Sequence, residues 1–376
     1  MSKRAVFEEV GPERTRRDAP PPPPARKHYR RSAIALWLWV LAALVAIMVL
    51  VGGATRLTDS GLSITVWDPV MGAVPPLSAE DWDAAFAAYR QTTEYQEQNA
   101  WMTLEDFKPI YWWEWGHRFL GRLIGLVWLG GLLVFLALRA IPPGWTGRLV
   151  LPGLLGAVQG AIGWWMVSSG LTGRLDVASY RLALHLGLAF AIFALLVWLA
   201  RKIRLDEVAT LKARRQRLGP LVGLGGALAA LVFLQVLVGA LVAGIDAGRG
   251  YVDWPLMQGQ VLPDEAFELT PVWRNLFESP ALTQFVHRVL GYVVLAVGLW
   301  FAWRCSRSWH RRVRSLGLAT GGAVVLQVVI GIATVMHASP LGLALLHQAG
   351  ALAVVGLLFF TKFEAAYPAE QRIARR

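Results

Sequence analysis

The sequence predicts an all-α integral membrane protein of eight transmembrane helices, arranged as two tandem pseudo-symmetric four-helix bundles. Hydrophobic residues make up 55% of the 376 residues, and 18 residues are tryptophan, a composition more apolar than that of a typical soluble domain. Eight apolar runs are long enough for a helix to cross a bilayer core of about 30 Å. The alternating hydrophobicity of membrane barrel strands does not occur in the sequence.

The eight runs predict the transmembrane spans in chain order. They cover 34–54, 117–138, 149–168, 182–200, 219–244, 286–303, 315–336 and 341–361. A tail at 1–33 with five consecutive prolines precedes the first span and is expected to be disordered. The predicted division is therefore an N-terminal bundle at 34–200, a cytoplasmic linker at 201–218, a C-terminal bundle at 219–362 and a second cytoplasmic tail at 363–376.

Lysine and arginine are distributed unequally between the two sides. Of the 37 basic residues, 27 lie in 1–33, 139–148, 201–218, 304–314 and 362–376, and seven lie in the alternate segments. The positive-inside rule therefore places both termini in the cytoplasm. The net charge of +12 is explained by this asymmetry and does not indicate nucleic acid. The single cysteine, Cys305, lies on the predicted inner side and excludes an intrachain disulfide.

Two long segments, 55–116 and 245–285, lie on the predicted outer side. In the first, Ser78 and Asp81 form a capping-box pattern. Aromatic residues then recur at helical spacing, at Trp82, Phe86 and Tyr89. The segment predicts an amphipathic helix over the membrane face, which acts either as a packed cap or as a lid over a site.

The two halves of the chain contain an internal repeat. "GHRFLGRLIGL" (116–126) resembles "VHRVLGYVVLA" (286–296), and "LALHLGLAF" (182–190) resembles "LALLHQAGAL" (343–352). "AVQGAIGWWMVSSG" (157–170) likewise resembles "VLQVVIGIATVMHAS" (325–339), and "VLVGGATRLTDSG" (49–61) resembles "VLVGALVAGIDAG" (236–248). Because each repeat has an even number of spans, both halves enter the membrane in the same orientation.

Four of the seven histidines occupy equivalent places in this repeat, near the outer ends of the second and fourth helix of each half: His117, His185, His287 and His347. Ionisable residues inside a membrane are rare and usually functional. A pair at matched depth on facing helices fits bis-histidine ligation of haem iron, whereas a lone histidine is more often a polar contact. His28 and His310 are expected to be solvated, and His337 has no assigned role.

Arginines accompany the proposed ligands. Arg118 and Arg288 each follow a histidine at the outer interface, and the first half adds Arg122. Guanidinium groups bind carboxylates in forked pairs, so these residues are candidates for haem propionates. The alternative is snorkelling to the lipid headgroups.

Glu114 precedes His117 by three residues, so the two side chains share a face if the helix extends that far back. "EWGH" also has the Glu-x-x-His spacing of di-iron bundles, but such sites need a second copy, and the matching stretch "TQFVH" has no carboxylate. One carboxylate beside one pair suggests that one haem is transformed while the other carries electrons. The alternative role of Glu114 is an ion pair with Arg118.

From about residue 35 to 362 the chain resembles the haem A synthase family, in its proteobacterial and mitochondrial subgroup. The resemblance rests on "TRLTDSGLSI", "WWEWGHRFLGR", "GWWMVSSGL", "YRLALHL", "VAGIDAG", "WPLM", "QFVHR", "GIATVM" and "LLHQAG". It implies oxidation of the methyl group of haem O to a formyl group, which makes haem A for cytochrome oxidase. Haem b would be held by His287 and His347, the substrate haem O would be flanked by His117 and His185, and Glu114 would be the catalytic acid or base.

The resemblance also implies the bacterial inner membrane as location and, as partners, haem O synthase and cytochrome oxidase assembly factors. Some members carry an outer cysteine pair linked to electron handling, and no cysteine lies in the outer segments of this sequence. No electron donor or acceptor is therefore indicated. The competing hypothesis is a di-haem b-type cytochrome that takes electrons from quinol. A parallel-repeat transporter would place its binding groups at the bilayer midplane, but the polar residues cluster at the outer edge.

Overall fold

The computed structural model describes residues 29–68, 71–171 and 173–369. Over these ranges the fold is all-α, and eight helices are long and apolar enough to cross a membrane. They are α1 (Arg31–Leu57), α4 (Leu104–Ala137), α5 (Thr146–Val167), α6 (Ser179–Lys202), α8 (Gly219–Gly244), α10 (Pro280–Ser306), α11 (Arg311–Met336) and α12 (Leu341–Ala366). All eight predicted spans are confirmed.

Four shorter α-helices and three turns of 3-10 helix connect the long ones. The α-helices are α2 (Ala79–Tyr89), α3 (Thr93–Glu97), α7 (Glu207–Arg215) and α9 (Asn275–Glu278), and the 3-10 turns are Met71–Ala73, Asp264–Phe267 and Val272–Arg274. Segments 58–68, 71–103 and 245–279 lie at the same end of the bundle, which we call the loop side. Arg56, at the end of α1, and Asp246, just after α8, join them there through a 2.8 Å ion pair.

Helix α4 begins at Leu104, well before the predicted start at 117. A capping box sets this start, because the Thr103 side chain accepts from the backbone N–H of Asp106 and the Asp106 carboxylate accepts from the backbone N–H of Thr103. Pro109 is the sixth residue of α4, and the helix continues through it. The extension places Glu114 and His117 in one continuous helix.

Each half forms a closed ring of four helices. In the first half, α1 and α5 each contact both α4 and α6. In the second half, α8 and α11 each contact both α10 and α12. The halves meet where α6 contacts α8 and α12 and where α1 contacts α12. The matching order of contacts supports the predicted duplication of the bundle.

Small residues let the helices approach closely, as is usual where lipid gives no hydrophobic driving force between helices. A Cβ atom at Gly317 would lie 2.1 Å from Cβ of Cys305, so α10 and α11 pack at a distance that only glycine permits. Two apolar clusters fill the halves, and Phe193 and Phe359 pack against both. The core is therefore continuous between the halves.

The predicted amphipathic helix over the loop side is present as α2. Ser78 and Asp81 form its capping box, as expected. Its aromatic face packs on the extended start of α4, where Tyr89 and Phe107 stack with ring centroids 5.2 Å apart. The helix thus rests on an aromatic cluster, which anchors the connecting segment beside Glu114.

Most of the predicted tail at 1–33 lies outside the described residues, as do 370–376. The last transmembrane helix continues to Ala366, beyond the predicted boundary at 362. The prediction that His310 is solvated is wrong, because its side chain is buried. Its Nδ1 caps α11 by accepting from the Val313 N–H, and its Nε2 lies 3.0 Å from the Ala369 carbonyl oxygen.

Candidate functional site

His287 and His347 face each other across the second half. They lie seven residues into α10 and six residues into α12, counted from Pro280 and Leu341. Their ring centroids are 6.4 Å apart, with an angle of 71° between the ring planes. A metal–imidazole bond is about 2 Å long, so two imidazoles on opposite sides of one metal ion have centroids roughly 6 Å apart. The pair is therefore spaced to hold one metal ion between them.

No group of three or more His, Cys, Asp or Glu side chains is placed to hold a metal ion anywhere in 29–68, 71–171 or 173–369. A two-histidine site is incomplete for a bare ion, which usually takes four or more ligands. Haem iron needs only axial ligands from the protein, because the porphyrin supplies the other four. The donor set at His287 and His347 therefore fits haem.

His117 and His185 form the corresponding pair in the first half. His185 lies six residues into α6, counted from Ser179. His117 lies thirteen residues into α4, counted from Leu104. The first half thus carries a pair on its second and fourth helices, as the second half does.

Each of the four imidazoles rests on a glycine of the preceding helix. A Cβ atom would lie 3.1 Å from the ring of His117 if built on Gly52, and 2.9, 2.9 and 2.8 Å from the rings of His185, His287 and His347 if built on Gly163, Gly239 and Gly331. Any larger side chain would push the ring away. These glycines make room for the imidazoles at the helix interfaces.

Three glutamines contact three of the imidazoles, and none of the three is among the predicted site residues. The Nε2 groups of Gln159, Gln235 and Gln327 donate to the backbone carbonyls of His185, His287 and His347 at 2.9, 3.0 and 2.8 Å. The same Nε2 groups lie 3.2, 3.1 and 3.1 Å from the ring Nδ1 atoms. The available signal was a glutamine four residues before a glycine inside an apolar helix.

Glu114 is 2% exposed and has four hydrogen-bond donors around it. Its Oε2 accepts from the Ser63 hydroxyl at 2.7 Å and from the Ile64 N–H at 2.8 Å. Its Oε1 accepts from Nε and Nη2 of Arg118 at 3.1 and 2.6 Å. The ion pair with Arg118, which is the alternative role for Glu114, is present, and the carboxylate is held rigidly one helical turn before His117.

Arg118 and Arg288 hold the connecting segments of the two halves in the same way. Arg118 donates to the carbonyls of Ile64 and Val66 at 2.7 and 2.9 Å. Arg288 donates to the carbonyls of Tyr251 and Leu256, both at 2.9 Å.

Gln284 takes the place of Glu114 in the second half. Its Oε1 accepts from Nη2 of Arg288 at 3.3 Å, and its Nε2 donates to the Tyr251 carbonyl at 3.1 Å. A neutral amide therefore performs the same clamping role as the carboxylate does in the first half.

Arg122 donates to the Asp68 carbonyl at 2.7 Å, so all three predicted arginines reach connecting segments on the loop side. Nε of Arg288 is buried and makes no hydrogen bond within the part of the chain that the structure describes. His337, at the C-terminal end of α11, is exposed and bonds the Ala333 carbonyl through Nδ1. The structure therefore gives His337 no place among the four paired imidazoles.

A charged cluster links the two halves on the loop side. Arg56 forms ion pairs with Asp59, Asp176 and Asp246 at 2.8, 3.5 and 2.8 Å. Nearby Glu94 is buried, and burial together with the surrounding carboxylates raises its pKa to about 8. Burial also raises the pKa of Asp176.

Comparisons with known proteins agree with this arrangement. Residues 35–359 match the family model of the cytochrome oxidase assembly protein COX15-CtaA. The chain is 54% identical over 371 residues to a protein of Ruegeria pomeroyi named "Heme A synthase", with 98% of each chain covered. It is 50% identical over 376 residues to the "Heme A synthase" of Paracoccus denitrificans, with 99% of each covered. With eight membrane helices, two pairs of imidazoles and a family match over most of its length, the chain belongs to the COX15-CtaA family of cytochrome oxidase assembly proteins.

Proposed function

We propose that this chain is a haem A synthase, which oxidises the methyl group of haem O to the formyl group of haem A. The relatives named "Heme A synthase" support this activity. The observation that carries the proposal is the spacing of His287 and His347, with ring centroids 6.4 Å apart. That spacing fits a bis-histidine haem site, which an enzyme of this activity would need.

The two pairs have different roles in this proposal. His287 and His347 hold a resident haem b, and His117 and His185 flank the substrate haem O. Bound haem supplies a redox-active iron whose potential depends on its axial ligands. The residues of the chain orient each macrocycle through the imidazoles and shield it with the surrounding apolar helices.

Glu114 distinguishes the two halves chemically. With water as the source of oxygen, oxidation of a methyl group to a formyl group releases protons together with electrons. An external electron acceptor must then take the electrons, and a nearby group must accept the protons. Glu114 lies one turn from His117, and its Oε2 accepts a 2.7 Å hydrogen bond from the Ser63 hydroxyl, whose proton is exchangeable. Gln284 at the equivalent place in the second half has no titratable group and cannot act as a general acid or base at neutral pH. We therefore assign the acid or base role to Glu114 and the electron-transfer role to the second half.

Arg118, Arg122 and Arg288 lie on the side of the pairs that faces the connecting segments. Each guanidinium fixes backbone carbonyls of that segment. Arg288 keeps a buried Nε without a hydrogen-bond partner among the described residues, which supports a further anionic partner such as a haem propionate. The arginines would thus close the segments over the propionate edges.

The eight apolar helices support a multi-pass membrane location. The distribution of lysine and arginine supports an orientation with both termini in the cytoplasm, and the resemblance to bacterial relatives supports the inner membrane. The site would then face the outer side. Its partners would be haem O synthase, which supplies the substrate, and the assembly factors that pass haem A to cytochrome oxidase.

The test is conversion of haem O by the purified full-length protein, followed by extraction and identification of the pigments. Wild type should yield haem A. Glu114→Gln should keep both haems and lower the yield by roughly 100-fold or more, the usual loss when a general acid or base is removed.

Gln284→Glu is the matched control for this test, because it adds a carboxylate at the equivalent place in the other half. It should retain haem A formation. Wild type that forms no formyl product with any reductant or oxidant would instead be a di-haem electron carrier. Full conversion by Glu114→Gln would remove the glutamate from the reaction.

A further inference from the structure

The three glutamines that contact imidazoles occupy equivalent positions in the repeat, and the fourth position holds methionine. Gln159 and Gln327 align in the third helix of each half, and Gln235 aligns with Met48 in the first helix of each half. Each of these residues precedes by four the glycine on which the corresponding imidazole rests. Three imidazoles therefore have an amide neighbour, and methionine occupies the corresponding sequence position for His117.

The side chain of Met48 lies in the slot that corresponds to that of Gln235. A Cβ atom at Gly121, four residues after His117, would lie 3.5 Å from Cε of Met48. A Cβ atom at Gly291, four residues after His287, would lie 3.4 Å from Nε2 of Gln235. Equivalent positions in the two halves therefore hold side chains of different chemistry, a thioether in the first half and an amide in the second.

The ring of His117 is also turned differently from the other three. Gly163, Gly239 and Gly331 face the Cε1 and Nδ1 edge of their imidazoles, whereas Gly52 faces the Nε2 and Cδ2 edge of His117. Across residues 29–68, 71–171 and 173–369, no hydrogen bond to the His117 ring is formed. The imidazole without a glutamine is thus the one in a different orientation.

The glutamine amides hold their imidazoles through one nitrogen atom. Nε2 of Gln159, Gln235 and Gln327 donates to the backbone carbonyl of the histidine and also lies within 3.2 Å of the ring Nδ1 atom. Outer contacts of this kind fix the orientation of a metal-binding histidine. A thioether has no N–H group and cannot make these contacts.

We propose that Gln159, Gln235 and Gln327 are positioning residues for His185, His287 and His347, and that His117, beside Met48, is the one weakly held axial ligand. This inference rests on the haem sites of the proposed function. The resident haem of the second half is then held firmly on both faces, as electron transfer requires. In the first half, His185 holds one face of the haem firmly. The other face, on the side of His117 and Glu114, is able to open for a small molecule or for exchange of substrate and product.

The proposal is tested with carbon monoxide on the reduced, full-length protein, because this ligand binds haem only where an axial position opens. In wild type the resident haem b should keep a low-spin spectrum and should not bind carbon monoxide. Gln235→Met copies the environment of His117, so its haem b should bind carbon monoxide, shift its midpoint potential and dissociate 10- to 100-fold more readily, as for other lost outer partners of metal ligands. Gln327→Met should do the same.

Met48→Gln is the reciprocal variant. After loading with haem O, it should bind carbon monoxide less readily in the first half than wild type does. Gln348→Met is the matched control, because this glutamine donates to the Val49 carbonyl in place of an imidazole. It should leave both haem spectra and the potential unchanged, even if it lowers thermal stability.

The outcomes separate this inference from the proposed function. Wild type purified without a low-spin haem spectrum would reject the haem sites themselves. Wild type with that spectrum, together with Gln235→Met and Gln327→Met variants of unchanged potential and carbon monoxide reactivity, would reject the positioning role alone. Wild type that binds no carbon monoxide at haem O in the first half would reject the weak ligation by His117.

Discussion

Nη2 of Arg56 lies 2.8 Å from Oδ2 of Asp246, so the end of α1 is tied to the end of α8 across the two halves. Arg56 also pairs with Asp59 and Asp176, and its side chain is only 12% exposed. Asp59 and Asp246 align in the repeat, and both have a φ of 49°. One guanidinium thus joins the equivalent turns of both halves and neutralises carboxylates that would otherwise repel one another.

Arg56→Leu should therefore destabilise the protein. Three carboxylates would lose their shared cation, and hydrogen bonds to charged groups contribute about 1.5–3 kcal/mol each at partly buried sites. We expect a clear fall in the melting temperature of the detergent-solubilised protein. Arg249→Leu is the control, since this side chain is 47% exposed and lies 3.7 Å from Asp246. Equal melting temperatures for the two variants would contradict the bridging role.

Gly331→Ala should displace the imidazole of His347. The new Cβ atom would lie 2.8 Å from Cε1 of the ring, closer than such contacts allow, so the ring must move. We expect a loss of resident haem of roughly 10-fold or more, by analogy with other disturbed metal ligands. The measurement is the ratio of haem absorbance to protein.

Gly322→Ala, in the same helix, is the matched control because no atom lies within 4 Å of its Cβ position. It should keep its haem and be slightly more stable, since alanine favours helix over glycine. A Gly331→Ala protein with full haem content would show that His347 does not bind it.

Glu94 should make stability depend on pH. Its folded pKa of about 8 lies above the ordinary value of 4.5, so between these values the folded protein binds a proton that the unfolded chain has released. Stability therefore falls as the pH rises through this window. Glu94→Gln should remove the loss, so that it melts at a higher temperature than wild type above pH 8 and at a similar temperature near pH 4.5.

Glu97→Gln serves as the control for this pH dependence, because Glu97 is exposed in the same short helix. It should follow the wild-type profile at every pH. A Glu94→Gln protein that also follows that profile would mean that Glu94 is ionised in the folded protein at neutral pH.

Much of the fold was predictable because the bilayer imposes a simple rule on the chain. Spans such as Gly219–Gly244 could be read from apolar length alone. The four imidazoles could be found because ionisable groups are rare in such spans. The early start of α4 was missed although its signal, the Thr103 and Asp106 pair, was readable by the same rule that located α2.

Contacts between distant segments could not be predicted in this way. Arg118 and Arg288 bind loop carbonyls 52 and 37 residues away, and no periodicity encodes such a pairing. Gln235 precedes Gly239 by four residues, but this spacing does not show which side chain of another helix the glutamine contacts. His310 was misassigned because its basic surroundings in the sequence gave no sign of the buried pocket that α12 provides.

The pocket that encloses His310 also holds Glu364, which supports the last prediction. Glu364 is 2% exposed, and its Oε2 accepts from Nη2 of Arg201 at 2.7 Å. This pair joins the last turn of α6 to the last turn of α12, at the end of these helices opposite His185 and His347. Arg201→Met would leave a buried carboxylate without its cation, a change that typically costs about 3–5 kcal/mol.

We expect Arg201→Met to lower the melting temperature strongly while the haem spectrum of the protein that remains folded is unchanged. The double variant Arg201→Met with Glu364→Leu should recover most of the loss, because replacing a whole buried ion pair by apolar residues is often nearly neutral. A double variant as unstable as the sum of the two single variants would show that each residue contributes through other contacts. Arg201 also lies over the ring of Phe360. If the two losses are additive, this packing would account for the contribution of Arg201 to stability.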